Sequence, residues 1–276
     1  MGRIPQRKIY ETLAALDGTV GLYIHELETD EIFQINPDKV FPSASVIKIP
    51  MLALLLRDVQ QGRVDWKAHR KINPVNRVGG TGILCELSPD YEPSIEEMAT
   101  LMIVLSDNIA TNELMDIIGI ERVNEFCREL GFPNTTLMRK MLDYDAIKKG
   151  YNNYMCAGEV GRLLVQIARE EFVNPEVSRT VMRIMEHQQY RNKLPSMLPT
   201  VPNYAPEEVK KNIPENSVLV ANKTGELMGL QHDVGIFTLP GGRRYVIAMF
   251  TGDLADDTEG IQTIGKLSRI VYEAMK

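Results

Sequence analysis

Residues 41–52 read FPSASVIKIPML, and the chain continues as ALLLRDVQQG to Gly62. From Ser45 onward apolar side chains occupy nearly every side of a helix for three turns until Gly62 stops it, the pattern of a helix buried inside a domain. Two polar residues stand at its start, Ser45 and Lys48. Three positions apart on a helix, they share one face, so the lysine amine can reach the serine hydroxyl. A serine hydroxyl needs a base before it attacks, and lysine serves only where burial and nearby positive charge lower its pKa. The Ser45 N–H, at a helix N-terminus, is also placed to meet a developing oxyanion. Taken alone, Ser45 reads first as a helix cap.

Outward from this helix the two ends of the chain look alike and the middle differs. Residues 5–16 read as an amphipathic helix. Thr19 to His25 and Glu31 to Ile35 read as a hairpin around Glu28-Thr29-Asp30. At the other end, SVLVANKT (217–224) and VGIFTLPGGRRYVIAMFTG (234–252) carry β runs that fold back at Pro240-Gly241-Gly242, ahead of an amphipathic helix over 257–275. Between them, Ser94 and Glu97 form a capping box for IEEMATLMIVL (95–105). Asn108 to Ile118 reads as a helix closed by Gly119, and further helices are expected over 120–130, 157–170 and 175–188, the last capped by Asn174. The pattern predicts an α/β protein of the α+β type. One antiparallel sheet is built from both termini and flanked by helices, with an all-helical lobe inserted. A single domain over 1–276 is expected, with residues 1–42 and 200–276 forming the α/β lobe and 43–199 the helical lobe.

Composition narrows the function. The chain has 276 residues, 44% of them hydrophobic, enough for one sizeable core. Its net charge of -6 gives no electrostatic footprint for nucleic acid. Cys85, Cys127 and Cys156 include no CxxC pair, and His25, His69, His187 and His232 have no metal-ligand spacing, so no metal or organic cofactor is expected. With no apolar leader and no membrane span, the sequence as given reads as cytoplasmic, or as secreted or periplasmic if a signal peptide has been removed. A monomer acting on a small molecule is expected.

Three short motifs then stand in order: SxxK at Ser45–Lys48, SDN at Ser106–Asn108 and KTG at Lys223–Gly225. In their settings, FPSASVIKIPML, LSDNIATNELM and ANKTGE, they resemble the active-site elements of class A β-lactamases and related penicillin-binding enzymes. The resemblance spans nearly the whole chain and implies a β-lactamase/transpeptidase-like fold. It also implies roles. Ser45 is acylated with Lys48 beside it, Ser106 relays a proton to the leaving nitrogen, and Asn108 holds the substrate's side-chain amide. Lys223 and Thr224 meet the substrate carboxylate, and the N–H groups of Ser45 and Glu226, which follows Gly225, form the oxyanion hole.

The sequence departs from that family in two places. Class A enzymes activate the deacylating water with a glutamate and an asparagine on a loop. In NTTLMRKMLDYDAIKKGYNNYM (134–155) those places fall at Leu142 and Ala146. Asp143 and Asp145 are the acids that a one-residue shift would bring inward, although loop aspartates commonly cap backbone N–H groups. Many class A enzymes also place an arginine on the strand after KTG, whereas LMGLQHDVGIF (227–237) has none, leaving His232 as a substitute when protonated. Arg243 and Arg244 lie at a tight turn too far along. The reading is therefore an active-site-serine hydrolase, a β-lactamase with slow deacylation. A D-alanyl-D-alanine carboxypeptidase or small-ester hydrolase, and a non-turnover penicillin-binding module, stay open beside it.

Overall fold

The computed structural model describes residues 2–276. Its order is α1 (Gln6–Leu13), β1 (Thr19–Glu26), β2 (Glu31–Ile35), β3 (Phe41–Pro42), a 3₁₀ turn (Ala44–Ile47), α2 (Lys48–Gln60), α3 (Ile95–Val104), α4 (Asn108–Ile118), α5 (Ile120–Glu129) and α6 (Tyr144–Lys148). There follow β4 (Tyr154–Met155), α7 (Ala157–Ala168), α8 (Pro175–Glu186), α9 (Glu207–Lys211), β5 (Leu219–Leu227), β6 (Leu230–Thr238), β7 (Arg244–Gly252) and α10 (Asp257–Met275). The main sheet runs β2-β1-β7-β6-β5 and is antiparallel throughout, so strands from the two ends of the chain meet at its centre, with Thr19 opposite Gly252. This is the β-lactamase/transpeptidase-like fold.

Alternate strand residues face opposite sides of a sheet, and each face here buries its own core. On one side Leu22, Ile24, Phe237, Ile247 and Met249 pack against Ile264, Leu267 and Val271 of α10 and Ile9 of α1. On the other side Tyr23, Ala221, Ile236, Val246 and Phe250 join the cluster that surrounds α2. Helix α7 lies tight on this face because it carries Gly161, where a Cβ would stand 2.3 Å from the Tyr23 ring.

Helix α2 is buried nearly all round, from Lys48 through Leu56. Each fully buried leucine there stabilises the fold by about 1.5–3 kcal/mol. The helix does not begin at Ser45 as its pattern predicts. Ala44, at φ +44°, feeds a 3₁₀ turn, and regular α geometry starts only at Lys48. The Ser94–Glu97 capping box forms with both of its bonds, and Asn174 caps α8 through Val177 N–H. The reading missed the β3–β4 ribbon, the short helices α6 and α9, and the four-residue extension of β6 back to Leu230, which makes a tight hairpin at Met228-Gly229. Cys127 and Cys156 are buried and Cys85 is exposed, all as free thiols. No helix among the described residues is long and apolar enough to cross a membrane.

Candidate active site

Where the 3₁₀ turn, the α3–α4 junction and the edge strand β5 converge, a cleft of about 230 Å³ opens, lined by Ser45, Ser106, Asn108, Thr224, Gly225 and Glu226 among others. The turn and the strand touch closely. A Cβ on Gly225 would lie 3.0 Å from Val46 Cγ2 and 3.2 Å from Ser43 O, so any larger residue would make the turn that carries Ser45 give by a few tenths of an ångström. Three non-glycine residues of the cleft wall, Ala44, Ser106 and Leu142, hold positive φ (+44°, +53° and +60°). Such left-handed backbone costs a non-glycine residue of order 1–3 kcal/mol and persists where the surroundings fix it.

Asp107 does that fixing at the SDN turn. One carboxylate oxygen accepts from Ala110 N–H and caps α4 (2.9 Å). The other accepts from Ile83 N–H (2.7 Å) and Leu84 N–H (2.9 Å), tying down the segment that covers the cleft. Thr81 of that segment donates its hydroxyl to Ser106 O (2.7 Å) and accepts Asn108 N–H at its carbonyl (3.0 Å). Ser106 Oγ is left between two buried amines, Lys48 Nζ at 3.0 Å and Lys223 Nζ at 3.2 Å. Lys48 Nζ also donates to Ser106 O (2.8 Å) and Asn108 Oδ1 (3.1 Å), and Lys223 Nζ to Thr224 O (2.8 Å).

Two ammonium groups cannot share one hydroxyl in a dry interior without cost. Burial first, and then the charge of Lys223, push Lys48 well below its ordinary value. Burial likewise brings Lys223 down to about 7. Lys48 is thus shifted toward the free amine, the state a base requires. The direct Lys48–Ser45 hydrogen bond expected from their spacing is not formed, because the bonds of Lys48 Nζ all run to the SDN turn. Catalytic hydrogen bonds often close only when substrate enters.

The loop residues fall differently. Leu142 lines the cleft, and its neighbour Met141 is clamped through both backbone groups by Asn112 (2.7 and 3.2 Å). Asp143 turns outward to cap α6 through Ala146 N–H (2.9 Å), and Asp145 is exposed beside Lys148. Neither aspartate lines the cleft, and Ala146 brings no polar group to it. His232 does not supply a cation. Burial takes it down to about 3, its Nε2 faces Pro42 O at 2.9 Å, and its Nδ1 accepts Thr251 N–H.

The positive charge at that end belongs instead to Lys193, which the sequence reading missed. Its side chain is fully buried and its Nζ donates to Gly225 O (3.0 Å) and Glu226 Oε2 (3.3 Å). Tyr190, Arg139 and Asn153, also unforeseen, complete the walls. Asn153 is legible only in hindsight: its side chain binds Met138 N–H, Arg139 N–H and Arg139 O, and its carbonyl accepts Ser43 N–H, joining the loop to the turn that carries Ser45.

A serine on a strained turn, a buried amine of lowered basicity and a hydroxyl between two lysines make a site suited to acyl transfer through serine. The comparisons agree with that class. The model of the Beta-lactamase enzyme family matches residues 5–275, and the chain belongs to that family. It is 23% identical to Beta-lactamase VEB-1 of Pseudomonas aeruginosa over 267 residues, 91% of this chain and 83% of the relative. Among solved structures, a β-lactamase from Sphaerobacter thermophilus DSM 20745 superposes with TM-score 0.84 at 28% identity, covering 98% of this chain and 97% of that one. PBP-A matches equally (TM-score 0.84, 28% identity, 98% and 95% covered), and so does its leucine-to-glutamate variant, solved as an acyl-enzyme complex with penicillin G.

Proposed function

We propose that this β-lactamase-family hydrolase opens β-lactam amides through an acyl-enzyme on Ser45 and releases the product slowly. The observation that carries the first half is the buried Lys48 amine, lowered in basicity and bonded to Ser106. Lys48, as free amine, takes the Ser45 hydroxyl proton while Oγ attacks the amide carbon. The oxyanion is met by the N–H groups of Ser45 and Glu226. As the C–N bond breaks, Ser106 gives its hydroxyl proton to the leaving nitrogen and recovers one from the Lys48 ammonium at its side, so the amine ends neutral.

Release needs a water and a base near the ester. At the cleft wall Leu142 brings neither, and Asp143 and Asp145 face solvent. Intact-protein mass spectra taken over time with penicillin G test the reading. A full-occupancy adduct on Ser45 that decays slowly supports it. No adduct and no hydrolysis overturn it, and fast turnover without accumulation overturns its second half.

A further inference from the structure

Glu226 is the one carboxylate among the side chains that line the cleft. It follows Lys223-Thr224-Gly225 directly on β5, its side chain is 59% exposed, and Oε2 lies 3.3 Å from Nζ of Lys193. Lys193, by contrast, is fixed from behind by the carbonyls of Gly225 and His232 (3.0 and 3.4 Å), and its side chain has no exposure to the cleft. What an incoming molecule meets beside Thr224 is therefore the outer face of Glu226, with Lys193 already engaged beneath it, Lys223 buried and turned to Ser106 Oγ and Thr224 O, and Arg139 the one cationic side chain that lines the cleft. His232 is held neutral and adds nothing to offset the carboxylate.

Resting on the reading of Ser45 as nucleophile, we propose that Glu226 sets the charge preference of the site, favouring acyl donors that bring an ammonium group rather than a carboxylate to the β5 end of the cleft. A carboxylate arriving there meets a like charge and has to displace Glu226 from Lys193. An ammonium group completes a charge-assisted pair with the exposed carboxylate oxygens. Because Glu226 follows Gly225 at the oxyanion side of the cleft, the discriminated group is one attached close to the scissile carbonyl. Penicillins, which carry a carboxylate near the ring nitrogen, acylate against this preference.

The test uses three aryl esters that differ only in bearing an ammonium, a carboxamide or a carboxylate beside the scissile carbonyl, with Ser45 acylation followed by intact mass. The wild type should prefer ammonium over carboxamide over carboxylate, and the preference should shrink at high salt. Glu226→Gln should raise the carboxylate-to-ammonium rate ratio by about tenfold or more. Glu226→Asp should keep the wild-type order. Lys193→Met should penalise the carboxylate ester further, and the double variant Glu226→Gln/Lys193→Met should show little charge preference. Equal rate changes for all three esters, or a Glu226→Asp ratio that matches Glu226→Gln, overturns the proposal. The Glu226 variants suffice if Lys193→Met does not fold. Acyl transfer to a residue other than Ser45 would instead sink the nucleophile assignment on which this rests.

Discussion

The amine cluster behind Ser45 and the loop in front of it are built on opposite principles. Lys48, Ser106 and Lys223 are buried, come from three separated segments and satisfy one another through bonds of 2.8–3.2 Å. The loop over 134–155 uses its polar groups to hold its own shape and its place: Asp143 caps α6, Asn153 holds Met138 and Arg139 and accepts Ser43 N–H, and among the loop residues that line the cleft, Arg139, Met141, Leu142 and Asn153, there is no carboxylate. One region shifts proton affinities by burial and the other supplies shape. A site so divided is equipped for attack and poorly equipped for release.

The comparison breaks first at the nucleophile. Ser45→Ala should abolish covalent labelling by penicillins while the thermal unfolding midpoint stays close to wild type, since a half-exposed hydroxyl is lost and no core contact with it. Labelling that persists at another serine would refute the assignment. Lys48→Ala should slow acylation about 10²–10⁴-fold, the range for a lost general base. An unchanged burst rate would make Lys48 a structural residue.

The other side is sharpened by putting a carboxylate into the loop. Leu142→Glu should hasten release of the acyl group by on the order of 10²-fold and leave the burst amplitude alone, because only the second step lacks a base. If the release rate does not move, the Leu142 side chain does not overlook the ester. Replacing Leu142 also keeps its backbone at φ +60°, so Leu142→Asn, which tolerates that geometry better, should raise the unfolding midpoint without hastening release.

Smaller effects separate the two amines. Lys223 is an ammonium below about pH 7 and loses its proton above it. Through that pH, kcat/KM should fall for substrates whose carboxylate meets Lys223 while matched neutral esters, which need only Lys48 as free amine, do not follow. Superposable pH profiles for the two would show that Lys223 acts through Lys48 alone. Smallest is Thr224→Ala, where loss of one neutral hydrogen bond should cost about 0.5–1.5 kcal/mol in kcat/KM. A hundredfold loss would mean that the hydroxyl does more than bind.

How much of this could be read beforehand follows the same division. Caps, helix ends and the three motifs rest on neighbours within a few residues, which is why Ser94–Glu97, Asn174 and the SxxK spacing are legible in one dimension. The partner of Lys48 is not, because Ser106 reaches it across 58 residues of sequence, and strand periodicity says nothing of whether His232 is titratable. Lys193 belongs to none of the three motifs. Only the topology that seats it behind Gly225 makes it part of the site.

The pairing of Thr19 with Gly252 also orders events in time. A ribosome adds about 5–20 residues per second, so β1 waits some tens of seconds for its central neighbour. In that interval the β1–β2 hairpin keeps an open edge, and a lone hairpin is marginal in water. Lys48 waits as well, for its burial is completed by a strand that emerges late. Until then its amine is solvated and protonated like any other, and the nascent chain carries the serine without the chemistry.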